Sequence, residues 1–103
     1  MEKDLGISIE VKKILELIKT ISPGRSVELR VPPYGVIQCV AGGNHRRGTP
    51  PNTVEMSGPT LVKLINQPSL WTELVASGLI SASGIASDLS PVFTQAQAIY
   101  EAN

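Results

Sequence analysis

The chain has 103 residues, a length at which one hydrophobic core can form but a second cannot. Hydrophobic residues make up 42% and charged residues 17%, which excludes a disordered chain. Nine basic residues balance nine acidic residues, and this zero net charge argues against a nucleic-acid partner. We therefore expect a single domain over residues 1–103.

The cysteine and histidine content bears on location and on metal binding. Cys39 is the single cysteine and His45 the single histidine, so the chain can form neither an internal disulfide nor a structural zinc site. No apolar run approaches the roughly 18 residues of a membrane-spanning helix. Residues 1–4 carry charges of both signs instead of a secretory signal. These features predict a cytoplasmic protein with no cofactor, no bound metal and no stable membrane insertion.

The first predicted element is an amphipathic helix over residues 7–21. Apolar side chains recur at helical spacing on one face, and Pro23 with Gly24 ends the helix. The apolar positions are Ile7, Val11, Ile14, Leu15 and Ile18. This pattern favours a helix packed on a sheet, with a helix lying on a membrane surface as the alternative.

Three strands are predicted next. Residues 26–31 alternate between apolar and polar side chains, as in a half-buried strand, and residues 53–56 show a shorter alternation. Residues 34–40 are apolar on both faces, which predicts a central strand. Pro32 and Pro33 cannot donate hydrogen bonds to a sheet, so we expect the first two strands to pair as a hairpin around them.

The carboxyl-terminal half is predicted to form two short helices, a strand and a final helix. Ser57 and Pro59 begin the first helix, and Ser69 caps the second, which ends at Gly78. The four elements cover residues 59–66, 70–77, 79–83 and 91–101. The final helix carries one apolar stripe, formed by Val92, Ala96, Ile99 and Tyr100.

The order of the predicted elements indicates the fold class. One helix is followed by three strands, two helices, a strand and a last helix. Strands that come as a group, with most helices after them, are typical of an α+β fold. We expect a mainly antiparallel sheet of four or five strands with helices packed on one face.

No catalytic motif is present, and we therefore expect a protein that is not an enzyme. The chain lacks a nucleophile elbow, a phosphate-binding loop and a His-Glu pair at metal spacing. Cys39 lies inside a predicted strand and is interpreted as a small core residue, with a reactive thiol as the alternative. An enzyme that uses His45 as a base is the weakest hypothesis because no nucleophile accompanies it.

The most distinctive polar feature is the predicted loop over residues 41–52. His45, Arg46 and Arg47 place one imidazole and two guanidinium groups between glycines and prolines, and such groups can clamp a carboxylate or phosphate. We expect an exposed loop with at least one guanidinium free of internal carboxylates. A solvated loop, or an ion pair with Glu55, is the alternative.

Several segments resemble the sterol carrier protein domain. Its second half contains a strand, a leucine-rich helix, a proline before a short helix, and a glycine-bounded aliphatic strand. The matching segments here are residues 54–56, residues 61–65, Pro68 and residues 78–84. A small bacterial branch of sterol-carrier-like proteins is matched more specifically, by Pro-Pro-Tyr at 32–34, Ile-Gln-Cys at 37–39 and Arg-Gly-Thr-Pro-Pro-Asn at 47–52. Together the matches span roughly residues 23–90.

The resemblance implies helices packed over an apolar tunnel that takes lipids or other long apolar molecules, without catalysis. Two positions depart from the wider family. Ala82 stands where a larger aliphatic residue is usual, and the first half of the chain is shorter, with fewer strands. "Sterol" is a family label here and does not name a ligand.

Two hypotheses of different classes follow. The first is a carrier of a lipid-like apolar molecule, in which Trp71 borders the largest apolar pocket together with Phe93. Its candidate lining consists of Leu64, Trp71, Leu74, Ile80, Val92 and Phe93. The second is an interaction module with a packed core, in which the loop at residues 45–49 meets a protein partner or a small anion. An open apolar cavity favours the carrier, and a packed interior favours the module.

Overall fold

The computed structural model describes residues 5–42 and 52–102, which form helices and strands in the predicted order. In chain order these are α1 (Leu5–Ile21), β1 (Val27–Val31), β2 (Gly35–Cys39), β3 (Asn52–Met56), α2 (Gly58–Asn66), α3 (Trp71–Ala76), β4 (Ile80–Ser83) and α4 (Ser90–Ala102). A 3₁₀ turn over Pro68–Leu70 directly precedes α3.

The four strands form one sheet in the order β2-β1-β3-β4. β1 and β2 pair antiparallel as the predicted hairpin, and β3 and β4 are also antiparallel. The central pair, β1 and β3, is parallel. The prediction of an α+β fold with a mainly antiparallel sheet is therefore confirmed.

The prediction that the second strand is central is wrong, because β2 lies at an edge of the sheet. Cys39 at the end of β2 and Asn52 at the start of β3 both pair with Val27, from opposite sides. β2 and β3 thus lie on opposite sides of β1. The apolar side chains of β2 point to both faces of the strand. One face packs against α1, and on the other face Val36 is 58% exposed.

The two faces of the sheet differ sharply in polarity. Val27, Leu29 and Val31 are fully buried on the inner face, and the strand register places Val54 and Ala82 in the same layer. The outer face carries Glu28, Arg30, Gln38, Thr53, Glu55, Ser81 and Ser83. The helices pack on the apolar inner face, as predicted for this class of fold.

The structure confirms the predicted packing of the first two helices. Four of the five expected apolar positions of α1 are buried, and Ile7 is partly buried. Ser57 is the N-cap of α2, where its hydroxyl accepts a hydrogen bond from the Thr60 N–H at 3.2 Å. The buried stripe of α2 contains Leu61, Leu64 and Ile65. Helical periodicity and cap chemistry were sufficient to locate both helices.

Two details of the last helices differ from the predictions. Ser69 does not cap α3, because it lies inside the 3₁₀ turn, and the N-cap position falls at Leu70 without a side-chain hydrogen bond. The buried stripe of α4 runs through Phe93 and Ala96, while Ile99 is 38% exposed. Leu89, just before the helix, is buried together with Phe93.

Candidate functional site

The structure places the six predicted lining residues in or against the hydrophobic core. Leu64, Trp71, Leu74, Ile80 and Phe93 are buried members of the core cluster, and Val92 is partly buried against it. They come from α2, α3, β4 and α4, so residues far apart in the chain contribute to the same core. Whether they line a ligand site together stays a prediction.

An aromatic pair lies within this cluster. The ring centroids of Trp71 and Phe93 are 6.4 Å apart, and the two rings are inclined by 31°. This tilted, offset arrangement is within the range that aromatic pairs favour. Phe93 is fully buried, whereas Trp71 keeps 7% of its surface exposed. Both rings are thus buried, and Trp71 keeps the larger exposed fraction of the two.

Helix α4 covers part of the core. It packs against α1, α2 and the 3₁₀ turn, and of its thirteen residues only Phe93 and Ala96 are fully buried. The Tyr100 hydroxyl donates a hydrogen bond to the Glu10 carboxylate, which also raises the pKa of Tyr100. The Gln97 amide donates to the Asn66 carbonyl oxygen at 2.9 Å. Two buried side chains and these two hydrogen bonds thus hold α4 against the core.

Two surface grooves lie elsewhere on the described part of the chain. The first, of about 240 Å³, lies between α1 and α4 and is lined by Lys13, Glu16, Leu17, Thr20 and Tyr100. The second, of about 290 Å³, lies at the start of β4 and is lined by Pro32, Glu55, Met56, Ser57, Gly78, Leu79 and Ser81. None of the six predicted lining residues borders either groove.

The predicted anion-binding residues His45, Arg46 and Arg47 lie outside the described residues. Their exposure and their ion pairs therefore stay predictions. The same holds for most of the Arg-Gly-Thr-Pro-Pro-Asn motif, of which only Asn52 is described. Glu55, the carboxylate considered as a partner for the loop, is exposed on the outer face of the sheet.

Asn52 positions the chain before α4, a role that its sequence neighbours do not predict. Its side chain is buried, donates to the Ser26 carbonyl oxygen at 2.9 Å, and accepts from the Ala86 N–H at 3.0 Å. It thereby ties the connection between β4 and α4 to the start of the sheet. The sequence feature that singles out Asn52 is its place at the end of the proline-rich motif over residues 47–52. Gly84 allows this contact because its backbone adopts a φ of +107° against Asn52.

Cys39 is a core residue, as interpreted from its place in a strand. Its side chain is fully buried, and this burial raises the pKa of the thiol to about 11. A thiol is nucleophilic only as the thiolate, which this environment disfavours. The structure therefore supports a packing role for Cys39 over the alternative of a reactive thiol.

The stability of the protein should fall as the pH rises from about 9 to about 11. Below that range the thiol is protonated in both states, and within it the unfolded chain releases its proton first, because the folded state holds the proton more tightly. Chemical denaturation at several pH values measures the decline. The Cys39→Val variant should show a smaller decline, since only the share due to Tyr100 and other groups remains. An identical decline in both proteins would contradict this account of Cys39.

Further properties of the described residues bear on the candidate functions. No helix in the described part of the chain is long and apolar enough to cross a membrane. Within residues 5–42 and 52–102, no three His, Cys, Asp or Glu side chains are grouped so that they could hold a metal ion. The six predicted lining residues themselves carry no ionisable side chain.

Helices packed on one face of a small mixed sheet, above a converging apolar cluster, define a domain of the sterol-carrier type. The family described as "Bacterial SCP ortholog" matches residues 5–94, and the chain belongs to this family. One similar solved structure is titled "UbiJ-SCP2 Ubiquinone synthesis protein". It superposes with a TM-score of 0.53 at 17% identity, covering 100% of this chain and 98% of the other. This likeness shows the fold, and a comparison with curated proteins found no match.

Proposed function

We propose that this protein binds and carries a lipid-like apolar molecule beneath helix α4, without catalysis. The observation that supports it most directly is the Trp71–Phe93 pair, in which an aromatic residue of α3 meets one of α4 within the apolar core. Membership of the bacterial sterol carrier protein family favours the same class of ligand. The proposed ligand is a long apolar molecule, and the proposed location is the cytoplasm. Neither a nucleic acid nor a cofactor has a role in the proposal.

Entry of the ligand requires α4 to move. The lining residues other than Val92 are buried at 7% exposure or less, so the site is closed when α4 is in place. Moving α4 exposes Phe93, which costs roughly 2–3 kcal/mol of lost burial. A ligand that removes about 300 Å² of apolar surface from water gains roughly 7 kcal/mol before the cost of immobilising it. A ligand must therefore bury more apolar surface than the movement of α4 exposes, which favours long ligands.

The second candidate function, an interaction module with a packed core, is favoured by the same closed state. In the described residues the side chains around Trp71 are buried, as they would be in a packed core. In this alternative, the loop at residues 45–49 would meet a protein partner or an anion. The two candidates differ in one measurable property, which is whether an apolar ligand changes the environment of Trp71.

Fluorescence titration of Trp71, the only tryptophan, should distinguish the two functions. The probes are oleic acid, a fluorescent sterol analogue and a quinone with a short isoprenoid tail. The last probe is included because the similar solved structure is titled a ubiquinone synthesis protein. The carrier hypothesis predicts a saturable change with at least one probe, together with a rise in the unfolding temperature. No saturable change with any probe, and no rise in that temperature, would leave the interaction module.

A matched pair of variants tests whether binding occurs beneath α4. Val92→Glu places a charge in the proposed lining, whereas Gln95→Glu adds the same charge at an exposed position of the same helix. An uncharged sterol analogue should bind at least about tenfold more weakly to the first variant, because a charge near an apolar ligand must be desolvated. The second variant should bind as the unmodified protein does. Equal affinities for the two variants would place the ligand elsewhere.

A further inference from the structure

The outward face of α1 carries two large apolar side chains that remain in contact with solvent. Leu5 is 80% exposed and Ile9 is 68% exposed, and they lie about one turn apart on the helix. The predicted apolar stripe of α1 is largely buried against the core, so it cannot lie on a membrane surface. Any contact that α1 makes with another surface must therefore use the outward face.

Lysines flank this apolar pair on both sides. At about 100° per residue, Lys12 lies about 60° from Ile9 in one direction around the helix, and Lys13 lies about 40° from Ile9 in the other. Leu5 also falls between the two lysines. Both lysines are exposed. Their long, flexible side chains can extend past apolar neighbours and place the ammonium groups beside them.

The outward face of α1 is also a basic region on a chain whose net charge is zero. Its exposed charged residues are Lys12, Lys13, Glu16 and Lys19. Three lysines against one glutamate give this face a net charge of +2. The other carboxylate of α1, that of Glu10, is half-buried and accepts a hydrogen bond from the Tyr100 hydroxyl of α4. The charge of this face therefore complements an anionic surface.

We propose that the outward face of α1 docks reversibly on the surface of an anionic lipid bilayer. Leu5 and Ile9 enter the boundary between head groups and acyl chains, and Lys12 and Lys13 pair with the lipid phosphates. A contact of two apolar side chains is far too small for a stable interface between proteins, which needs roughly 1,200 Å² or more. Together with flanking lysines, the same contact is sufficient for weak and reversible membrane binding.

This docking would bring one edge of α4 close to the bilayer. Lys13, Glu16 and Thr20 are exposed on α1 and also line the groove of about 240 Å³ between α1 and α4. Tyr100 of α4 lines the other side of that groove. The helix that must move in the proposed carrier therefore lies beside the docking face. Docking itself needs no bound ligand, so the inference does not depend on the proposed function.

Co-sedimentation with lipid vesicles tests the proposal on the whole chain. One set of vesicles contains only phosphatidylcholine, and in the other roughly one-third of the lipid is phosphatidylglycerol. Binding to the anionic vesicles should be at least about tenfold stronger, because each lysine near an anionic surface contributes roughly fivefold. Added salt should weaken it. Equal binding to both sets would overturn the proposal, and no binding to either would leave this face to a soluble partner.

A matched pair of double variants tests the apolar contact. Leu5→Gln with Ile9→Gln should weaken binding to the anionic vesicles at least about tenfold, because the inserted apolar surface is lost. Leu79→Gln with Ile85→Gln is the control, since it makes the same exchanges at positions that are 55% and fully exposed outside α1. Circular dichroism checks that both variants are folded. Equal binding by the two variants would place the contact elsewhere and overturn the proposal.

A second pair of double variants tests the charges. Lys12→Gln with Lys13→Gln should reduce binding to the anionic vesicles at least about tenfold. Arg25→Gln with Lys63→Gln removes the same net charge at exposed positions outside α1 and should have a smaller effect. Equal losses would show that only the overall charge matters and would overturn docking through α1.

Vesicle binding and ligand binding are separable results. Vesicle binding that depends on Leu5 and Ile9, by a chain whose Trp71 does not respond to the apolar probes, would uphold docking and reject the carrier. A saturable response of Trp71 without vesicle binding would support the carrier and overturn docking.

Discussion

Replacing Phe93 with alanine should lower the free energy of unfolding by about 3–5 kcal/mol. The ring is fully buried and lies 6.4 Å from that of Trp71, so its removal leaves a cavity beneath α4 in addition to the lost burial. A chain of this size has a total stability of roughly 5–15 kcal/mol. The variant should therefore be close to the limit of folding. Urea denaturation followed by circular dichroism measures the difference.

The control for Phe93 is an exposed position on the same helix. Gln95→Ala should change the free energy of unfolding by no more than about 0.5 kcal/mol. The cavity in Phe93→Ala also bears on the proposed site, since an apolar ligand that fills it should restore part of the lost stability. A loss below about 1 kcal/mol for Phe93→Ala would contradict the packing of α4 described above.

Replacing Gly84 with alanine should lower the free energy of unfolding by about 3 kcal/mol or more. A Cβ at this position would lie 2.2 Å from the side-chain oxygen of Asn52 and 2.9 Å from its Cα. The Asn52 side chain would have to move, and its hydrogen bonds to Ser26 and Ala86 would weaken. The positive φ of +107° adds backbone strain. Urea denaturation again measures the loss.

Gly78 provides a matched control for Gly84. It also adopts a positive φ, of +84°, but a Cβ added there would meet no atom within 4 Å. Gly78→Ala should therefore cost only the backbone strain, about 1 kcal/mol. The difference between the two variants isolates the steric effect on Asn52. Equal losses would show that Asn52 is not the source of the larger effect.

The six lining residues illustrate how far sequence reasoning reached into the candidate site. Each was chosen for its apolar character on a predicted helix or strand, and all six fall in or against one cluster. Whether their surroundings are open or packed was left open by the sequence. The predicted stripe of α4 was wrong in part, because Phe93 and Ala96 are its buried residues and Ile99 is 38% exposed.

The sequence by itself determined the elements and their order. Helical periodicity located α1 and α2, alternation located β1 and β3, and proline with glycine marked most of the boundaries between elements. These signals are local, because each reports how a side chain sits relative to its own backbone. They can therefore be recognised in the sequence without knowledge of any distant contact.

Only the tertiary structure decided which elements became neighbours. The apolar residues of β2 predicted a central strand. One face of β2 packs against α1 instead, and β3 lies beside β1 on the other side. Asn52 likewise gains its role from Ser26 and Ala86, which lie 26 and 34 residues away along the chain. The physical reason is that burial is non-directional: a side chain's hydrophobicity states that it will leave water, but not which partner will cover it.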